Sequence, residues 1–475
     1  MKILLTGVTG YIGKRLLPLL LEQNHEVFCC LRDKNRFYYP KMLENKIHVI
    51  EVDFLKKETL KIIPKDIDAA YYLVHSMSDS VDNYDELEHT SANNFVKRIN
   101  QTNAKQVIYL SGIVNSNSLS KHLSSRKHVE EILNTGKFAT TTLRAGIIIG
   151  SGSASFEIIR DLVNKLPFMI APKWINTKCQ PIAISDVLQF LSKSLLNPLT
   201  YNQSFDIGGS DVLTYKDMLM GFAEAKKIKR WIFSVPVMTP KLSSYWLYFI
   251  TSTSYKLASA LVSSMKVEVI CRDSKINMLL DINPMSYKEA LSKALIKINE
   301  NNIASSWKDS LISGLFKGKI TEYLKIPTKN CYVDKRKMEI NDREFTIKRI
   351  WSIGGESGWY YSNWLWSLRG FIDKLFGGVG FGRGRRDKYD IHAGDTLDFW
   401  RVLYANKEEG NIILYAEMKL PGKAWLEFKI IENTLYQTAT FKPKGVWGKL
   451  YWYSVLPFHG LIFNGMLKSL IHKKE

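Results

Sequence analysis

The stretch KILLTGVTGYIGKRLLPLL, residues 2 to 20, limits what this chain can fold into more than any other. An apolar run that reads as a first strand is followed at once by Gly7, Gly10 and Gly13, and then by a segment of helical periodicity. Glycine lacks a Cβ, so three at this spacing permit a tight turn and close backbone approach to a ligand, while the helix that starts there directs its free N–H groups into the turn. Between a strand and a helix, that arrangement suits a dinucleotide pyrophosphate. Gly7, Thr9, Gly10, Tyr11, Ile12 and Gly13 are the candidate cofactor-binding residues of the turn. Pro18 lies inside the expected helix and should cost it a hydrogen bond or kink it.

From residue 1 to about 210, short β-rich runs alternate with helical patterns, the signature of βαβ units and a doubly wound parallel sheet. Strands are read at KILLTG, HEVFCCLR, IHVIEVD, AAYYLVH, QVIYLSG, TTTLRAGIIIG and QSFDIGG. In such an α/β Rossmann fold the ligand sits at the carboxyl ends of the strands. From about 212 to 330 the pattern turns helical and lysine-rich, as expected of a small substrate lobe and a connector. At 475 residues the chain exceeds a single core, and eight of its 12 tryptophans fall after residue 331, where a second domain is expected. The division read here is 1–300, a helical connector 301–330, and 331–475. In the last part DTLDFWRVLYA, NIILYAEMKL, AWLEFKIIE and TLYQTATFKP alternate like antiparallel strands, and one long helix, 447–471, follows.

The second strand ends in LRDKNR, so Arg32 can reach the adenosine ribose, with Lys34 and Arg36 behind it. An acid there would bond a free 2′-hydroxyl, whereas a guanidinium suits a 2′-phosphate, so NADP(H) is preferred over NAD(H), with Asp33 the residue that can reverse this. The formal charge of +20 is dispersed along the chain and no nucleic-acid-binding motif accompanies it, so no nucleic-acid partner is expected. Five scattered cysteines with no CxxC pair argue for reduced thiols in a cytoplasmic protein and against a metal site. The run YWYSVLPFHGLIFNGML, 451 to 467, is too short and too interrupted for a spanning helix, which leaves peripheral membrane contact as the alternative to simple packing.

Gly7, Gly10 and Gly13, VDF at 52–54, YYLVHS at 71–76, LRAGIIIG at 143–150, PIAISDV at 181–187 and FDIGG at 205–209 carry a resemblance. Over roughly the first 290 residues the chain resembles the extended and atypical short-chain dehydrogenase/reductases, most of all their NmrA-like branch, which includes the NADPH-holding accessory subunit of respiratory complex I. RAGIIIGSGSASFEIIRDLV and PKWINTKCQPIAISDV are similar to a bacterial subgroup with a fused C-terminal domain of unknown function, itself similar to the START-like polyketide cyclase and lipid-transfer fold. The resemblance implies that Asp53 and Phe54 contact the adenine, that Val74 and His75 line the cofactor near the nicotinamide ribose, that Ser111 takes the catalytic serine position, and that Asp186 is structural.

The chain departs from that family where it matters most for chemistry. Aligning Glu130 with the glutamate that follows the family's Tyr-x-x-x-Lys puts His122 on the tyrosine and Arg126 on the lysine. Arginine can still hold a ribose through its fork of donors, and an imidazole titrates near neutrality and can act as general acid. Equally, KHLSSRKHVEEIL reads as a plain basic helix start, capped by Ser124 or Ser125, with His122 and His128 in solvent and Arg126 paired to Glu130 one turn on. Both readings stand on the sequence.

In the second domain, GGESGWYYSNWLWSLRGFIDKLFGGVGFGRGRRD, 354 to 387, joins a tryptophan-rich helix to a glycine-arginine loop. It reads either as the mouth of an apolar cavity with Arg383, Arg385 and Arg386 clamping an anionic group, or as an aromatic core and a solvated turn. Glu417, Glu427, His392 and His459 are candidate polar groups inside. The function expected is an NADP(H)-dependent oxidoreductase acting on an apolar, lipid- or isoprenoid-like carbonyl compound. The alternative is a non-catalytic NADPH-binding or sensing protein whose C-terminal domain contacts lipid or a partner.

Overall fold

Continuous apolar runs fit strands buried on both faces, and the first strand shows it: Ile3, Leu4 and Leu5 have no exposed surface. The computed structural model describes residues 1–37, 39, 45–74, 84–115, 121–235, 240–251, 255–299, 323–381, 385 and 387–472, with some side chains among them, including that of His122, left undescribed. Seven strands form one parallel sheet: β1 (Lys2–Thr6), β2 (Glu26–Leu31), β3 (Ile47–Glu51), β4 (Ala69–Tyr72), β5 (Gln106–Gly112), β6 (Ala139–Ala145) and a seventh at Gln203–Ile207. Each of the seven segments read as a strand is there. Their order is seventh, β6, β5, β4, β1, β2, β3. The winding reverses between β1 and β4, which opens a crevice outside their carboxyl ends.

Helix α1 (Gly13–Glu22) follows β1 and runs on through Pro18 without a break. Helices α2 (Tyr84–Ile99) and α3 (Lys121–Leu133) cover one face, burying Phe95, Val96, Val129 and Leu133 against Leu4, Tyr72, Val107 and Tyr109. On the opposite face the Tyr71 hydroxyl donates to the Leu191 carbonyl of the helix Ile184–Lys193 at 3.0 Å.

The helical lobe begins earlier than its lysine-rich stretch implied. Its core joins Phe156, Leu162 and Val163 of the helix Ala154–Lys165 to Tyr215, Phe222 and Tyr287 from further along the chain. Ser153 caps the first of these helices by accepting from Phe156 N at 3.2 Å. A box formed by Thr214 and Asp217 starts the helix Tyr215–Ala225.

The chain divides into two compact units, whose main segments are Met1–Lys34 with Tyr39–Ser310, and Leu311–Glu475. In the second, Tyr332–Glu339, Thr434–Pro443, Gly422–Ile431, Asn411–Ala416, Trp400–Asn406 and Thr396–Leu397 lie side by side in that order as an antiparallel sheet. The four meandering strands match their sequence reading. Tyr332–Glu339 was not expected, and it pairs with Thr434–Pro443 along its whole length. Two helices, Arg343–Ile350 and Asn363–Leu375, follow it, and the terminal helix Gly445–Ile471 closes the chain. The core of this unit gathers Trp351, Trp359, Trp366, Phe399 and Phe428 beneath Phe463, Met466 and Leu470 of that helix.

Candidate nucleotide site and apolar cavity

The turn after β1 is shaped by glycines that no other residue can replace. Gly7 has φ +68°, and a Cβ built on it would stand 2.5 Å from the carbonyl oxygen of Leu73 at the end of β4. A Cβ on Gly13 would meet the Gly7 carbonyl oxygen at 2.4 Å. Gly10 N donates to that same oxygen at 2.8 Å, which closes the turn. Helix α1 starts with Ile12 at its cap, with no side-chain capping bond and no acid in its first turn; Lys14 N donates to Gly10 O at 3.1 Å and Arg15 N to Ile12 O at 3.0 Å, and the positive end of the helix dipole faces the turn. Thr6, which sequence reasoning passed over, ties the two strands that flank the crevice. Its Oγ1 donates to Tyr71 O at 2.9 Å and accepts from Leu73 N at 2.9 Å.

Among the other expected cofactor residues, Arg32 is exposed just beyond β2, whereas Asp33 is buried. Asp53 is partly buried and its Oδ1 accepts from Leu55 N at 3.1 Å, shaping the turn after β3. Val74 is partly buried at the end of β4. The Phe54 ring is buried edge-on to Tyr72 and Phe95, and its carbonyl accepts from Asn94 Nδ2 at 2.8 Å, so its side chain packs in the core. Tyr11 turns inward too: its ring lies under the Arg15 guanidinium, 4.7 Å from the centroid, and burial pushes its hydroxyl up to about 12. Its contribution to the turn is therefore backbone. His75 lies outside the described residues.

Ser111 is buried at the carboxyl end of β5, beside Gly112. Arg126 of α3 crosses Gly112, where a Cβ would stand 3.7 Å from its Nη1 and 3.8 Å from its Cδ. The i,i+4 pairing of Arg126 with Glu130 does not form. Glu130 accepts Nη2 of Arg144 at 2.6 Å and Nε at 3.1 Å, and Ser204 Oγ at 2.6 Å. Nor does Ser125 serve as a cap, because its hydroxyl donates to buried Glu88 at 2.5 Å. Tyr109 Oη donates to Arg126 O at 3.4 Å, and burial pushes that phenol up to about 12, although Arg126 and Ser111 favour its ionised form. His128 is exposed, edge-on to His89 with ring centroids 5.1 Å apart. Asp186 is buried and accepts from Met285 N at 2.8 Å, a structural role.

Residues 7–152 match the NAD(P)H-binding family model. Residues 327–466 match a second family, described only as a protein of unknown function, DUF2867. No curated protein matches. Among solved structures, a nucleoside-diphosphate-sugar epimerase from Staphylococcus aureus is 16% identical, with a TM-score of 0.50 over 61% of this chain and 99% of its own. Triphenylmethane reductase from Citrobacter sp. is 15% identical, with a TM-score of 0.50 over 62% of this chain and all of its own. The N-terminal part thus has the NAD(P)H-binding Rossmann fold seen in epimerases and reductases, and the glycine cradle fits a nicotinamide dinucleotide.

The DUF2867 region holds a cavity of about 400 Å³ between its sheet, the helix Asn363–Leu375 and the terminal helix. Its walls are apolar and aromatic, with Trp366, Phe399, Trp400, Trp425 and Phe441 from the interior. His459 also lines it, 3.6 Å through Nδ1 from Asp334 and edge-on to Trp452. The other polar candidates are employed elsewhere. Glu417 forms a fully buried pair with Arg401, Oε1 to Nε at 3.0 Å, and His392 faces Asp390 at 3.4 Å. Glu427 lies partly buried on the strand Gly422–Ile431.

Arg385 does not act as an anion clamp. Its guanidinium donates to the carbonyls of Ile353 and Trp351 at 2.6 Å each and of Asp387 at 2.8 Å, and burial lowers it to about 10. Charge type in the sequence does not say which way an arginine faces. Arg383 and Arg386 lie outside the described residues.

Proposed function

We propose that this protein is an NADP(H)-dependent oxidoreductase acting on an apolar, lipid- or isoprenoid-like carbonyl compound. The observation that carries the reading is the glycine cradle at 7–13 with Arg126 lying over Gly112 at the carboxyl end of β5. The amides of Tyr11, Ile12 and Gly13 at the start of α1 hold the pyrophosphate, and Arg32 pairs with a 2′-phosphate on adenosine. Arg126, with Glu130 given to Arg144, directs its fork at the nicotinamide ribose. Bound NADPH supplies the hydride. His122, one helical turn before Arg126 on α3, donates the accompanying proton, and Ser111 orients the carbonyl oxygen. The apolar cavity supports an apolar substrate. The strand, two helices, antiparallel meander and terminal helix around it support a START-like reading of the second unit.

A second reading has one observation in its favour. Tyr109, the phenol beside Arg126, is a core side chain raised by burial, so it does not stand in for the family's tyrosine. The protein then holds NADPH without turning it over. Steady-state NADPH oxidation with apolar aldehydes, ketones and quinones separates the two. The enzyme reading predicts turnover that His122→Ala lowers by about 10²- to 10⁴-fold. No turnover with any compound, together with slow exchange of bound NADPH, would leave the holder.

A further inference from the structure

Two helices of the second unit turn apolar side chains to solvent. On Asn363–Leu375 the exposed residues Trp364, Leu368, Phe371, Ile372 and Leu375 recur at helical spacing, and Phe376 follows at 71% exposure. That helix has its apolar stripe on the outside. The terminal helix is apolar nearly all round, and such a helix is expected to be buried all round. It is buried only in part: Val446, Trp447, Leu450, Tyr453, Phe458 and Leu461 are exposed, Trp447 at 78%. Isolated apolar residues on a surface are ordinary, but a patch of this extent marks a partner.

The patch is continuous with the cavity wall. Trp364, Leu368, Ile372 and Phe458 are at once exposed and part of the cavity wall. Arg369 lies between the helices, its guanidinium 5.9 Å from the ring centroid of Tyr451. Lys444 and Lys449 belong to the terminal helix and its cap, and Lys419 approaches the end of the other helix beside Gly377. The two helices present no exposed acid: from Asn433 to Lys474 the sequence has none, and Asp373 is buried, accepting from Gly380 N at 2.9 Å and Lys419 N at 2.7 Å, while Asp334 against His459 is paired with Arg336 at 3.0 Å.

We infer that this face docks on an anionic membrane surface and that the cavity fills from the bilayer through the opening between the two helices. Tryptophan and tyrosine with flanking lysines suit the headgroup level, where leucine and phenylalanine enter the acyl boundary. A second copy of the chain is disfavoured, because a two-fold contact would bring the same cations against each other. No helix among the described residues is long and apolar enough to cross a membrane, which fits helices lying in the interface plane.

The test is flotation of the full chain with vesicles of phosphatidylcholine alone and of phosphatidylcholine with phosphatidylglycerol. The chain should float with the anionic vesicles and much less with the neutral ones. The pair Phe371→Glu and Trp447→Glu should lower the floated fraction about tenfold or more, while Met278→Glu, 80% exposed in the first unit, leaves it unchanged. Thermal unfolding of each variant, followed by the fluorescence of the tryptophans buried in the second unit, reports that this unit is folded. Failure of the parent chain to float with either vesicle overturns the inference, as does equal flotation of the charged pair. So does sedimentation showing a dimer that the charged pair dissociates. None of these outcomes bears on the oxidoreductase reading.

Discussion

Glu130 closes a two-point ion pair with Arg144, Oε1 to Nη2 at 2.6 Å and Oε2 to Nε at 3.1 Å, and so the carboxylate one turn beyond Arg126 is already taken. Arg126 instead extends over Gly112 at the carboxyl end of β5. Arg126→Ala should therefore weaken NADPH about 10- to 100-fold, the loss of a charge-assisted contact, with little change in thermal stability. Glu130→Ala should do the opposite, lowering stability by about 1–3 kcal/mol through the strand pair β6 and Gln203–Ile207, with a smaller effect on affinity. Titration with NADPH beside thermal unfolding checks both.

Gly7→Ala puts a methyl 2.5 Å from a backbone oxygen at positive φ, and Gly13→Ala puts one 2.4 Å from another. Neither neighbour is a flexible side chain that can move aside. Each variant should lose measurable nucleotide binding and about 1–3 kcal/mol or more of stability, read by NADPH fluorescence and chemical unfolding.

How much of this was legible depended on what the sequence pattern encodes. Strands buried on both faces are continuous apolar runs, so all seven of the main sheet could be placed, as could the glycine turn. The strand Tyr332–Glu339 was missed because its YVDKRKME alternates intermediate and exposed positions, so no apolar run marks it. Phe54 and Arg385 were read by residue type as ligand contacts, yet one packs between rings and the other is held by carbonyls. The Glu130–Arg144 pair spans 14 residues across a helix and a strand. A local i,i+4 rule favours the wrong arginine there, and only the fold brings the right one near.

The Arg401–Glu417 pair has no exposed side-chain surface, and Arg401 Nη1 also donates to Gly394 O at 2.8 Å. Removing one partner strands the other charge in the core. Glu417→Ala should cost about 3–5 kcal/mol of stability in the DUF2867 unit. Because the pair lies within that unit, NADPH affinity measured below the unfolding transition should be retained.

His459 should make the same unit sensitive to acid. Burial lowers its pKa below the ordinary 6.5, Asp334 opposes that and Arg336 adds to it. The folded state thus binds this proton less well than the unfolded chain. The stability the group contributes is whole above about pH 6.5 and is lost as the pH falls below it. His459→Phe should flatten the fall in thermal midpoint between about pH 7.5 and about pH 5.5 relative to the parent chain. An unchanged slope would mean that His459 does not set the acid sensitivity of this unit.

In the proposed site, amides at 7–13 grip a nicotinamide dinucleotide and Arg32 recognises an added phosphate. Calorimetric titration of the full chain with NADPH and with NADH addresses both parts. One equivalent should bind, with NADPH tighter, and Arg32→Glu should shift the ratio of affinities towards NADH by about tenfold or more. Equal affinities that Arg32→Glu leaves unchanged would contradict the phosphate recognition, and absence of binding heat with either nucleotide would contradict the claim as a whole.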